Sequence, residues 1–228
     1  MIDHAHDLAA VRDATERLLT AVGKLDNAAV TEPSRLPGWT RGHVLAHLAR
    51  NADALVNVME GRPMYASAEA RDADIERDAP RALDVQLADV RDSAARFQDA
   101  AAVPSDWSRT VELRNGVTDA AARVPFRRWV EVELHHVDLG IGYELDDLPA
   151  EFAQRETEFL ADRFTGHPDV PPTRLTDGTH AWRTGREADE PQITVTGSPA
   201  DLLGWLAGRR DGSGLTVAGG SLPALPPL

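Results

Sequence analysis

Leu83, Leu87, Val90, Ala94 and Phe97 step by 4, 3, 4 and 3 residues. That period places all five on one face of a helix and leaves an apolar stripe that must be buried. The same pattern occurs twice earlier. Asp7 to Leu25 carries Leu8, Val11, Leu18, Val22 and Leu25, and Val44, Leu48, Ala52, Leu55 and Met59 follow Thr40 as N-cap. Gly61 and Pro63 end that second helix, and Pro80 opens the third. Three such helices need a fourth face to close a core. The segment "FRRWVEVELHHVDLG", residues 126 to 140, is the candidate. Its Val130, Val132 and Leu134 alternate with polar residues, as in a strand. Its span from Pro125 to Gly140 is long for a strand, and Pro125 and Gly140 suit the start and stop of a helix.

Residues 104 to 123 are mixed and read as an irregular crossover. Pro149 starts a further helix with Phe152, Phe159 and Leu160 as its apolar residues. Beyond Phe164 the texture changes, and "TGHPDVPPTRLTDG" has the composition of a linker. Short strands are expected over Thr179–Thr184, Gln192–Thr196 and Leu215–Ala218. Ser198 and Pro199 begin a helix that ends near Gly208. The fold class is therefore α+β: a four-helix bundle over residues 1–166, then a small α+β domain over 167–228.

The formal net charge of −13 disfavours a phosphate backbone as partner. No apolar run approaches the roughly 18 residues of a membrane span, and no basic cluster suits a membrane surface. The first residues, MIDHAHDLAAVRD, lack the basic and apolar regions of a secretory signal. A cytoplasmic monomer that works on small molecules is the expectation. Cysteine is absent, so any thiol chemistry needs a thiol from outside the chain.

Charged groups beside so much apolar surface in residues 126–140 need partners. On a helix, Glu131 and His135 are one turn apart on a single face. His43 and His47 have the same spacing on the second helix. His47, beside Leu48, points to the bundle interior or its mouth, and His43 is the more exposed of the two. If the second and fourth helices are neighbours, His47, Glu131 and His135 converge. Two imidazoles and a carboxylate form a three-donor set for a divalent metal, with positions left for water or substrate. Zinc suits this set, and non-haem iron accepts it too. Spacing alone also fits a solvated Glu–His pair and a satisfied interior histidine.

"LPGWTRGHVLAHLARNADAL", "WVEVELHHVDLG" and the shorter "LLGWLAGR" resemble the mycothiol-dependent maleylpyruvate isomerase family, part of the DinB-like metalloenzyme superfamily. The resemblance spans nearly the whole chain. It implies a zinc-holding helix bundle with His47, Glu131 and His135 as ligands. It also implies a functional arginine late in the C-terminal domain, Arg209 or its neighbour Arg210. The implied reaction is cis–trans isomerisation of maleylpyruvate to fumarylpyruvate, with mycothiol as thiol cosubstrate, in an actinobacterial setting. A mycothiol S-transferase and a non-catalytic metal-sensing regulator are the alternatives. Asp138 or Glu133 would fix an imidazole tautomer. Asn51, one turn beyond His47, would line the cofactor pocket, and Trp39 and Trp129 are expected in the core.

Overall fold

Asp3 starts the first helix by accepting the His6 amide at 3.0 Å. This helix, α1 (His4–Val22), buries Val11, Ala14, Leu18 and Val22. It is the first of five helices in the N-terminal unit of the computed structural model, which describes residues 2–103, 105–186 and 190–227. The others are α2 (Arg41–Met59), α3 (Ala68–Asp78), α4 (Leu83–Ala102) and α5 (Val124–Asp138). Four of them form a ring: α1 packs on α4 and α5, and α2 packs on the same two. The fourth face expected from the sequence is thus α5, and it is a helix throughout residues 126–138.

Two elements escape the sequence pattern. Helix α3 buries only Ile75 and Asp78, so it has no stripe to read. Fully buried Asp78 meets Arg77 and Arg81, which ties the end of this helix down. With α3 packed on it as well, α2 is buried nearly all round rather than along one stripe. The second element lies in the stretch expected to be irregular. There β1 (Thr110–Glu112) pairs antiparallel with β2 (Thr118–Ala120), Val111 opposite Asp119. Strands of three residues are too short to show an alternation. Asn115 and Gly116 make the turn, with φ of 60° and 71°.

One glycine sets how closely α2 starts against its neighbours. A Cβ on Gly42 would lie 2.1 Å from the Ala79 carbonyl oxygen and 2.8 Å from Val30 Cγ1. Buried Gln86 bridges the same place, donating to the carbonyls of Asp78 (2.9 Å), Ala79 (3.1 Å) and Gly42 (3.3 Å). Gly42→Ala is therefore expected to destabilise the protein by about 2 kcal/mol through overpacking. At an uncrowded helix position the same change stabilises by about 1 kcal/mol. Urea unfolding distinguishes the signs.

The C-terminal unit covers Glu144–Leu228. It contains α6 (Ala150–Phe164), β3 (Thr173–Thr176), β4 (Ala181–Thr184), β5 (Ile193–Thr196), α7 (Pro199–Leu206) and β6 (Thr216–Ala218). The sheet order is β4-β3-β5-β6. Strands β3 and β5 run parallel with Leu175 opposite Val195, both fully buried, and the other pairs are antiparallel. Ser198 caps α7 and Pro199 occupies its first turn, as expected. Strand β3 falls inside the stretch read as linker, where prolines and glycines flank it closely. Contacts divide the chain at Tyr143/Glu144, not at the change of texture near residue 166. The reason is α6, which packs on α7 and β4. Among the described residues, no helix is long and apolar enough to cross a membrane.

Candidate metal centre

Helix α2 carries His47 in its second turn, and α5 carries Glu131 and His135 one turn apart. Because α2 and α5 are ring neighbours, the three side chains meet across 84 positions of sequence between His47 and Glu131. His47 Nε2 is 2.9 Å from Glu131 Oε2, and His135 Nε2 is 3.2 Å from the same oxygen. One donor atom from each residue falls in a group within 4.8 Å. The imidazole rings meet edge to face, 4.6 Å between centroids.

This donor set fits a divalent metal. Tetrahedral zinc with bonds of about 2.0–2.1 Å has ligand-to-ligand edges of about 3.3 Å. The two measured nitrogen–oxygen separations lie close to that length. His135 has the support typical of a metal-binding imidazole: its Nδ1 is 2.8 Å from Asp138 Oδ2, and Asp138 is fully buried. That bond leaves Nε2 of His135 as the donor toward the centre. Arg71 on α3 lies on the other side, its Nη2 3.3 Å from His47 Nδ1. A guanidinium only donates, so Nδ1 accepts here and Nε2 carries the proton. Coordination through Nε2 would move that proton to Nδ1 and would require Arg71 to swing aside.

The electrostatics follow from burial and these contacts. Burial pushes the His47 imidazole down to about 4, against the pull of Glu131. Burial alone would raise the Glu131 carboxyl, but hydrogen bonds from His135 and His47 and their charge hold it well below the usual range. His135 is raised: burial opposes its charge, and Asp138 and Glu131 outweigh that.

Arg128, one turn before Glu131, is 1% exposed. Its Nη1 donates to Leu48 O at 2.9 Å and to Asn51 Oδ1 at 2.8 Å. It thus braces α5 against α2 beside the ligands, although burial lowers its pKa to about 10. Asn51 is itself buried and receives this brace, so it is built into the helix contact rather than an open pocket wall.

Glu133 faces away from the centre. Buried, it accepts from Arg17, from Trp129 Nε1 at 3.0 Å and from the Tyr143 hydroxyl at 2.7 Å. Of the two carboxylates considered for supporting an imidazole, Asp138 is the one in place. Trp129 is in the core. Trp39 is not: it is half-buried, with its ring 5.5 Å from that of His47. His43 is the more exposed of the two histidines, as expected, and serves as a helix cap. Its Nδ1 accepts the Thr40 amide at 3.1 Å, and its Nε2 lies 3.3 Å from Glu76. Arg71 was missed because α3 has no apolar period. The signal available was Ser67, an N-cap residue, ahead of an acidic first turn.

Arg209 and Arg210 belong to the C-terminal unit. Arg209 Nη1 donates to Ala207 O at 2.8 Å. Arg210 is held by Asp201 at 2.7 Å and by Asp146.

The family model described as the mycothiol maleylpyruvate isomerase N-terminal domain matches residues 11–140. The model described as the MDMPI C-terminal domain matches residues 147–227. A crystal structure of the mycothiol-dependent maleylpyruvate isomerase is 30% identical, covering 99% of this chain and 97% of that one, with a TM-score of 0.88. The crystal structure of a histidine-to-alanine variant of that enzyme matches at 29% identity with the same coverage and TM-score. No curated protein sequence matches.

Proposed function

The chain belongs to the mycothiol maleylpyruvate isomerase family, and from that membership we propose that it isomerises maleylpyruvate to fumarylpyruvate with mycothiol as thiol cosubstrate, at a zinc ion held by His47, Glu131 and His135. The observation that carries this reading is the convergence of these three donors from two neighbouring helices. A divalent ion bound there supplies Lewis acidity and favours the thiolate form of a thiol.

The described chain contains no cysteine, so the sulfur nucleophile comes from the cosubstrate. Sulfur adds to one alkene carbon, and the electron pair moves to the conjugated carbonyl as an enolate. The former double bond is now single and rotates. Collapse of the enolate expels the thiolate and leaves the trans alkene, so the thiol is not consumed. The protein's own contribution is placement and charge. Asp138 orients His135, and Arg128 fixes the spacing of α2 and α5. Positive charge placed where an enolate forms lowers the barrier. Of the two late arginines, Arg209 is the one proposed to act, and Arg210 is paired with Asp201 and Asp146.

Anaerobic incubation of metal-quantified protein with maleylpyruvate, followed by ultraviolet absorbance, tests the reading. Isomerisation is expected with metal and mycothiol together, and only the background rate when either is withheld. Turnover without thiol would defeat it. Conjugation of an electrophile such as a bimane, with maleylpyruvate untouched, would instead mark an S-transferase.

A further inference from the structure

The end of α2, residues 61–68 and the β1–β2 hairpin enclose a cavity of about 620 Å³ within the N-terminal unit. That volume suits a small organic molecule. Three arginines line it, Arg62, Arg109 and Arg114, against one acidic residue, Glu112. In a chain of net charge −13 this is a local reversal of sign.

The three arginines are not equivalent. Arg62 donates to Asn57 Oδ1 at 3.1 and 2.7 Å and pairs with Glu60. Arg109 is spent on the carbonyls of Met59 and Asp106. The Arg114 guanidinium has no hydrogen bond or ion pair among the described residues. It projects from the hairpin turn that Asn115 and Gly116 shape, exposed at the cavity rim. The first two arginines are structural, and the third is available to a ligand.

Two side chains, Tyr65 and Arg71, link the cavity to the metal centre. Tyr65 lines it, and the Arg71 guanidinium lies 5.9 Å over the Tyr65 ring and 3.3 Å from His47 Nδ1. Burial and the field of Glu131 raise the Tyr65 phenol, which keeps it protonated and able to donate. Tyr65 and Arg71 thus stand between this cavity and the three donors, and Arg114 lies on the hairpin side of the same space.

We propose that this cavity receives an anionic end of the substrate, with Arg114 as the cation that engages a carboxylate. The inference rests on the isomerase reading and deepens it, because it names the residue that selects a dicarboxylate over an uncharged electrophile. A carboxylate–guanidinium contact is charge-assisted and can be bidentate.

Arg114 is exposed, so Arg114→Ala and Arg114→Glu leave the core intact. Maleylpyruvate and its uncharged dimethyl ester are titrated calorimetrically into metal-replete protein without thiol, and steady-state rates are measured with mycothiol. Arg114→Ala is expected to weaken binding of the dianion up to about fivefold, and Arg114→Glu further. Ester affinity and metal content stay unchanged, and KM rises with kcat nearly constant. Equal affinity for the dianion in all three proteins, or an equal loss for the ester, overturns the inference. Arg114-dependent binding of the dianion without turnover would overturn the isomerase reading and leave the anion site standing.

Discussion

His47→Ala protein is expected to purify with less than about a tenth of its metal and to turn over more than about 100-fold more slowly. Loss of a supporting partner alone costs 10–100-fold, so loss of a ligand costs at least the upper end. His43→Ala is expected to keep most of both. The two histidines share one helix face, and the distinction lies in what occupies their nitrogens. His43 spends Nδ1 on the Thr40 amide and turns Nε2 toward Glu76. His47 aims Nε2 at Glu131, with His135 beside it. His43→Ala removes a cap contact, so about 1 kcal/mol of stability should go with it while the metal stays. Elemental analysis, anaerobic initial rates and urea unfolding on the same preparations separate these outcomes. If His43→Ala loses the metal and His47→Ala retains it, the ligand assignment is wrong.

Asp138→Asn carries the second large effect. The Asn side chain is nearly the same shape and can still accept from His135 Nδ1, but its acceptor is neutral. Metal affinity is expected to fall 10–100-fold, as read by competition with a chromophoric chelator. The metal-free protein adds a pH signature. His135 is raised above its ordinary value of 6.5 because Asp138 and Glu131 outweigh burial. A raised imidazole contributes stability that is fully present below pH 6.5 and is lost as pH climbs through the folded value. Asp138→Asn removes much of that contribution. In chelator, its stability deficit against the parent should be larger at pH 6 than at pH 9. An equal deficit at both values would mean that Asp138 acts through packing alone.

The main frame was readable because three of the four bundle helices show a period of 3.6 with real apolar volume. The strand-like alternation of Val130, Val132 and Leu134 was resolved by length. Glu131 and His135 were readable as a pair, since i and i+4 share a face. Their meeting with His47 was conditional, because no spacing rule says which helices of a bundle are neighbours. The supporting residues were harder. Glu133 and Asp138 are both acidic and both near His135, and Glu133 lies on another helix face, where Arg17, Trp129 and Tyr143 hold it away. Helix α3 and the hairpin, which bring Arg71 and Arg114 to the centre and the cavity, gain their stability from tertiary contacts and not from any period of their own. Tyr65 and Trp39 lie on connecting segments, where sequence pattern says least about direction.

The 84 positions between His47 and Glu131 have one more consequence. They enclose α3, α4 and the hairpin, and an ion bound to both residues clasps that whole stretch at its ends. In a chain with no disulfide available, this clasp depends on solution composition. Ligand binding to the folded form alone adds about 4 kcal/mol at a thousandfold excess over Kd, and nothing when the ion is scarce. With the proposed ion in place, endurance against heat and proteolysis would follow the supply of metal in the surroundings, and starvation for the ion would clear the protein as well as silence it.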